Sequence, residues 1–426
     1  YKAAQWWSAQ EVDARMISEL PWQWYTAQAW QELRACLTDV RTGPSAILQF
    51  DKLELWSFWL GVEDRCGVRV EEQLEKVFPE WVLGVNQERE LNIGFAISTL
   101  LTQAGRYGLF NKQILLRALG IRQEVLGQDH ADVGMSLNSL GLLYWDQGDY
   151  NSAVSSLVHA LSIAEKALGL DHPDVATCLN NLALLYDTRG EYEKALPMYV
   201  RALTIYKKSL DNDHLDVANC QDNLAGLYIS QRDYNKALPL SESALAIYEK
   251  LLGNAHPLFA TALSTLARFY YDQGVYEKAL PLYERASVIN ENALGKEHPT
   301  FATSLNNLAL LYGTQMEYDK AMPLYERVLV IKEKALGKDH EGVATSLSNL
   351  ADLYYDQGVY EKALPLFERS LAINENVWGK DHPHVAPSLN KLAMLYLAQN
   401  EYEKALPLNE RALAIREKAL DKDHPD

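Results

Sequence analysis

Histidine stands at positions 130, 172, 214, 256, 298, 340, 382 and 424, each 42 residues after the last, and only His159 and His384 fall outside the series. Imidazole is a common metal ligand and proton carrier, so this ladder is the first place to look for chemistry. A metal site needs several ligands within about 2.0–2.3 Å of one ion. Histidines one repeat apart would be separated by packed helices whose axes lie roughly 8–10 Å apart at each step, so they cannot share an ion. The DHP runs at 171–173 and 381–383 read instead as helix starts, with proline in the first turn.

Other chemistry-bearing patterns are missing from the sequence. It holds no G-x-x-x-x-G-K-[ST] phosphate loop, no CxxC, no HExxH and no GxSxG. Cys178 and Cys220 lie 42 residues apart at equivalent repeat positions, which suits small packing residues better than ligands. Acidic pairs such as Glu191 and Glu193 fall where a helix dipole favours negative charge, at the start of a helix. The expectation is a chain with no catalytic residues, no metal and no cofactor.

Composition narrows the partners. With 57 acidic against 40 basic residues the net charge is −17, which disfavours nucleic acid and anionic membrane surfaces and favours a neutral to basic protein or peptide ligand. No run of eighteen apolar residues could cross a membrane. Four scattered cysteines (36, 66, 178 and 220) do not make a disulfide framework and point to a reducing compartment, the cytoplasm. Oligomeric state is not legible.

The elements that must position any site follow from the 42-residue period, since self-similarity at a fixed step means stacked supersecondary units. In the unit from Asp171 to Asn212, Val175, Leu179, Leu182, Ala183 and Tyr186 recur at spacings of three and four, one face of a helix. Gly190 breaks it, as Gly148, Gly274 and Gly358 do elsewhere. Arg232, Met316 and Asn400 hold the same place and predict looser turns. Tyr192, Ala195, Leu196, Tyr199, Ala202 and Leu203 form the face of a second, longer helix, closed in other units by Gly169, Gly253, Gly295, Gly337 and Gly379. Alanine at 153, 195, 237, 279, 321, 363 and 405 predicts a close helix–helix contact. Proline at 197, 239, 281, 323, 365 and 407 predicts a slight bend of the second helix.

Leu179, Leu182, Ala183, Tyr186, Ala195, Tyr199 and Ala202 match the tetratricopeptide spacing, and the unit LNNLALLY…G.YEKALPLYERALAI.EKALGKDHP resembles the repeats of kinesin light chains and their bacterial relatives. Leucine replaces the tryptophan that often opens the motif, and Lys207 replaces its closing proline. The resemblance implies an all-α fold, a right-handed superhelical solenoid of stacked antiparallel helix pairs. The expected organisation is a Trp-rich capping or connector region over 1–90, a degenerate first repeat over 91–127 with Gly105 and Tyr107 one place out of register, seven repeats over 128–423, and the start of a further unit at 424–426. Eight of the ten tryptophans lie in the first 81 residues, and a solenoid needs a cap over its end repeat. The stretch ELPW at 19–22, LTD at 37–39 and LELW at 53–56 resembles the connector between ATPase module and repeats in nephrocystin-type STAND ATPases. With Tyr1 in place of an initiating methionine and a DHP at the very end, it predicts a fragment of a larger protein.

In tetratricopeptide arrays the first helix of each pair lines the concave groove, so the resemblance implies three columns of ligand-facing residues. The first is Asn138, Asn180, Asp222, Ser264, Asn306, Ser348 and Asn390. The second is Leu142, Leu184, Gly226, Arg268, Leu310, Asp352 and Met394. The third is Trp145, Asp187, Ile229, Tyr271, Gly313, Tyr355 and Leu397. Asparagine can grip an extended backbone through its paired donor and acceptor, and Trp145, Tyr271 and Tyr355 can anchor apolar side chains. Asn181, Asn223, Asn307 and Asn349, one place on, are expected to be structural. Arg268 and Lys391 alone are too few cations for a carboxylate clamp. The expected function is a non-catalytic scaffold for a peptide or protein segment. The alternative is the ligand-sensing arm of a STAND-type ATPase, with a nucleotide module encoded upstream of Tyr1. A motor-adaptor role is disfavoured because no sustained heptads precede the repeats. On this reading, replacing Asn180 and Asn306 by leucine abolishes binding and leaves thermal stability nearly unchanged.

Overall fold

The computed structural model describes residues 109–423, with side chains to Lys418, and eleven single helical positions between 72 and 102. The Trp-rich segment, its connector-like stretches, Gly105 and Tyr107, and the last three residues, 424–426, lie outside the described residues, apart from those single positions. Among the described residues there are fifteen helices and no strand. They are α1 (Leu109–Leu126), α2 (Ala131–Asp146), α3 (Tyr150–Leu168), α4 (Pro173–Thr188), α5 (Tyr192–Ser209), α6 (Leu215–Ser230), α7 (Tyr234–Leu252) and α8 (Pro257–Asp272), then α9 (Tyr276–Leu294), α10 (Pro299–Thr314), α11 (Tyr318–Leu336), α12 (Glu341–Asp356), α13 (Tyr360–Trp378), α14 (Val385–Ala398) and α15 (Tyr402–Asp423). From α2 onward, even-numbered helices are the first (A) and odd-numbered helices the second (B) of each pair.

Two compact units emerge. Of the described residues, one holds those up to Asp146, Tyr150–Ala262 and Ile289–Lys296, and the other holds Gln147–Asp149, Leu263–Val288 and those from Glu297 onward. In the first unit, the predicted contact alanines Ala153, Ala195 and Ala237 are fully buried. So are Ala279, Ala321, Ala363 and Ala405 in the second. A methyl at these places lets the A and B helices of a pair approach until larger neighbours such as Tyr199 in the first unit and Tyr325 in the second close over it. Each leucine buried on an A face contributes roughly 1.5–3 kcal/mol relative to exposure. The B helices run unbroken through Pro197, Pro239, Pro323 and Pro365.

The A–B turns correct one expectation. Glycine 148, 190, 274 and 358 take the left-handed backbone, but Arg232, Met316 and Asn400 take it too, with φ near 60°. The hydrogen bonds are the same: Gly190 N–H donates to the Asp187 carbonyl at 2.9 Å and Glu191 N–H to that of Tyr186 at 2.9 Å. Met316 and Glu317 repeat this towards Gly313 and Tyr312 at 2.9 and 2.8 Å. These turns are no looser. The double bond pattern of the helix end fixes the turn, and a side chain there carries the left-handed strain instead.

The histidine ladder finds its role at the helix starts. His172, in extended conformation (φ −79°, ψ 143°), accepts the Asp174 N–H on Nδ1 at 3.1 Å. His214, His256, His298 and His340 accept from the residue two places on in the same way. Each imidazole thus satisfies a helix N–H that has no partner within the helix. His382 also accepts the N–H two places on, from His384 at 3.3 Å, but its surroundings differ. The Trp378 indole stacks on both His382 and His384 (centroids 4.8 and 4.4 Å), His384 is helical in φ and ψ, and α14 begins at Val385 rather than at Pro383.

Candidate peptide-binding surface

The predicted columns lie on the A helices, whose buried faces turn Leu179, Leu182 and their equivalents inward. In the first unit this leaves the first column little access to solvent: Asn138, Asn180 and Asp222 are all buried. Their neighbours explain why. Asn181 donates its Nδ2–H to Oδ1 of Asn138 at 3.1 Å, and Asn223 donates likewise to Asn180 at 3.2 Å. The two asparagine series therefore form one ladder between successive repeats. Trp145 and Asp187 are half-buried, whereas Ile229, also placed in a column, is buried.

The second unit is more open. Ser264, Asn306, Ser348 and Asn390 are half-buried, as are Arg268, Asp352, Tyr271 and Tyr355. Leu310, Met394 and Leu397 are 41%, 52% and 41% exposed, high values for apolar side chains. Asn349 donates to Asn306 at 2.9 Å. Lys391 takes the same place one repeat later, its Nζ donating to Ser348 Oγ at 2.9 Å and to Asp352 Oδ2 at 2.6 Å. One of the two cations near the columns is thus occupied with a carboxylate of the chain. The Tyr271 hydroxyl is paired with Thr314 Oγ1 at 2.7 Å.

Electrostatically the surface is acidic and partly desolvated. Burial raises the Asp352 carboxyl above the ordinary range, and the neighbouring Lys391 only partly offsets this. Burial also raises Asp356, and it pushes Asp146 in the first unit up to about 7. Cys178 and Cys220 are buried free thiols pushed up to about 12 by desolvation, which suits packing and not nucleophilic chemistry. Among the described residues no group of three His, Cys, Asp or Glu side chains could hold a metal ion, and no helix is long and apolar enough to cross a membrane.

Reading single columns missed three features. Met316 is 75% exposed in a strained turn. Lys332 is half-buried on α11, at the place where Tyr206 bonds Thr177 and Tyr248 bonds Asn219. The third was legible as plain text: residues 270–282 and 354–366 are the same thirteen residues.

Comparison with known proteins agrees with the fold. The solved structure of BtubC (BKLC) from P. vanneervenii is 27% identical, over 55% of this chain and 94% of that one, with a TM-score of 0.46. A Podosopora anserina putative kinesin light chain with nearly identical TPR-like repeats is 30% identical, over 48% of this chain and 98% of that one, with a TM-score of 0.41. A Rap protein complexed with competence and sporulation factor is 18% identical, over 87% of this chain and 98% of that one, with a TM-score of 0.61, a likeness of fold. No curated protein sequence matches the chain. The tetratricopeptide repeat profile matches residues 112–166, 143–208, 189–250, 258–334, 300–376 and 342–418. With most of the described helices inside those matches, the chain belongs to the tetratricopeptide repeat family.

Proposed function

We propose that this chain is a non-catalytic cytoplasmic scaffold that holds an extended, neutral to basic protein segment against the A-helix surface of its second unit. The observation that carries the reading is the exposure of Leu310, Met394 and Leu397 beside the half-open Asn306, Asn390, Tyr271 and Tyr355. Apolar side chains ringed by polar groups and carboxylates suit a ligand with apolar anchors and positive charge. Arg268 and Asp352 extend the contact within that unit, and Trp145 and Asp187 hold column places on the A helices of the first unit. Asn138, Asn180 and Asp222 are the buried first-column residues of the first unit.

Panning random dodecapeptides on the immobilised chain tests this. Enriched peptides carry apolar residues with lysine or arginine, and they bind a Leu310→Ser/Met394→Ser variant at least tenfold more weakly, while Val330→Ser on α11 binds them normally. Enrichment of acidic peptides, or equal binding to all three proteins, would contradict the reading.

A second reading shares this surface. The ELPW and LELW stretches favour a sensor arm in which ligand contact releases a STAND-type ATPase. A phosphate-loop motif encoded upstream of Tyr1 supports it, and a start codon just before Tyr1 removes it.

A further inference from the structure

Leu116, Val158 and Val200 stand 42 residues apart and hold one repeat place, on α1 and on the B helices α3 and α5. They are 42%, 45% and 44% exposed, high values for apolar side chains. The same place carries glutamate in every later repeat, at 242, 284, 326, 368 and 410. The three helices share one core, to which α1 gives Leu115 and Leu119, α3 gives Ala160 and Ile163, and α5 gives Ala202 and Ile205. Arg201 of α5 reaches Glu165 of α3 at 2.7 Å, so these helices lie side by side. The exposed residues therefore form a stripe across the first unit, and it ends at Glu242 on α7.

Most of what borders the stripe is neutral. Ser155, Ser162 and Thr204 are exposed beside it, and Leu161, Leu196 and Leu203 are half-buried. Charge returns two turns away. Glu193 lies in the first turn of α5 and Lys207 in the last, seven residues before and seven after Val200, both exposed. Seven residues fall within about 20° of two whole turns, so all three share one face. Lys207 is an exception within the array, since this place holds Gln123 in α1 and glutamate at 165, 249, 291, 333, 375 and 417. Neither Glu193 nor Lys207 makes an ion pair within the chain among the described residues.

We propose that this face pairs with the same face of a second copy, antiparallel, about a two-fold axis that runs along the stripe. A face that meets itself must be complementary to itself. Turning one copy about that axis sets Leu116, Val158 and Val200 each against its own counterpart. It also brings Glu193 opposite the second copy's Lys207 at both ends of α5. A partner of one charge sign would leave either Glu193 or Lys207 facing its like, whereas a second copy answers both. The glutamates from 242 onward confine the contact to these three helices, because a dimer centred further along the array would set glutamate against glutamate. Three helices about 10 Å wide, over the roughly 21 Å from Glu193 to Lys207, offer about 600 Å² per copy. A total of about 1,200 Å² is the lower edge of specific interfaces, so the dimer is weak and dissociates at about 1–100 μM. The proposal does not depend on any segment bound to the A helices of the second unit.

Sedimentation equilibrium of the full chain, from about 1 to 200 μM so as to bracket that range, tests this. The expected result is a reversible monomer–dimer equilibrium. Val158→Glu, which sets two carboxylates face to face at the centre, raises the dissociation constant at least tenfold, and Val330→Glu on α11 leaves it unchanged. Glutamate already stands at this place in five repeats, so the variant keeps the fold, and an unchanged thermal midpoint by circular dichroism verifies that. Glu193→Lys and Lys207→Glu each weaken the dimer about threefold or more. The double exchange Glu193→Lys/Lys207→Glu restores it, which an apolar surface that merely adheres would not do. A monomer at every concentration, a dimer that survives Val158→Glu, or a double exchange no tighter than the single ones would overturn the proposal.

Discussion

The Asn349 carboxamide donates its Nδ2–H to Oδ1 of Asn306 at 2.9 Å, tying α12 to α10 across 43 residues of sequence. The same bond links Asn181 to Asn138 and Asn223 to Asn180. In these three pairs the carboxamide oxygen of Asn138, Asn180 or Asn306 is committed to the stack. Replacing Asn306 by leucine strands the Asn349 donor, at a cost of about 1 kcal/mol. Urea denaturation should therefore find Asn306→Leu destabilised, and the double change Asn306→Leu/Asn349→Leu closer to wild type, because both partners are then removed. Additive losses would show that the pair is not coupled. The sequence-based expectation of unchanged stability gives way here, because the partner one residue and one repeat away has become visible.

Met316 occupies a left-handed turn, φ 61°, with its side chain 75% exposed. Glycine fills the equivalent place at 148, 190, 274 and 358. Met316→Gly removes strain of about 1 kcal/mol and loses almost no packing. The thermal midpoint should rise by a few degrees in a calorimetric scan. A fall would mean that the methionine makes a contact worth more than the strain.

Gly141 is the one small-residue position of the A helices where the array has no methyl, the other six repeats carrying alanine at 183, 225, 267, 309, 351 and 393. A Cβ there would lie 2.8 Å from Leu157 Cγ and 2.9 Å from its Cδ2. Elsewhere the facing residue differs, Tyr199 being one example, and the alanine fits. Gly141→Ala should be destabilising by roughly 1–3 kcal/mol despite its better helix propensity. Denaturant midpoints decide between crowding and propensity by the sign of the shift.

Lys332 is half-buried on α11, and desolvation lowers it to about 8, the nearby Glu341 opposing this. Below pH 8 the ammonium is charged both folded and unfolded, and the fold carries the cost of burying it. Between pH 8 and about 10.5 the folded chain has released the proton and the unfolded chain has not, so this residue's contribution to stability rises with pH across that window. Lys332→Met should stabilise the chain at pH 7 by roughly 1–3 kcal/mol, with most of the gain gone by pH 10.5. A pH-independent difference would assign the effect to packing alone.

Much of the fold was legible because each signal was local and repeated. The 42-residue histidine step, the invariant alanines and the A-face leucines fix helix type, order and buried face without any knowledge of contacts. The site was less legible, because its properties depend on side chains one repeat apart. Asn180 reads as an exposed peptide grip until Asn223 is placed against it. Arg232 and Asn400 read as marks of looser turns until the hydrogen bonds around them prove the same as those of Gly190. The later start of α14, beside a tryptophan–histidine stack, is one that no single-residue rule anticipates.

The central claim is that a protein segment lies on the A-helix surface of the second unit. Its most direct test is a photo-crosslinking amino acid placed at Met394 and, in a separate protein, at Val330, both more than half exposed but on A and B helices respectively. With a panned dodecapeptide in excess, the account predicts a crosslinked adduct from position 394 and none from 330. An adduct from 330 and none from 394 would contradict it.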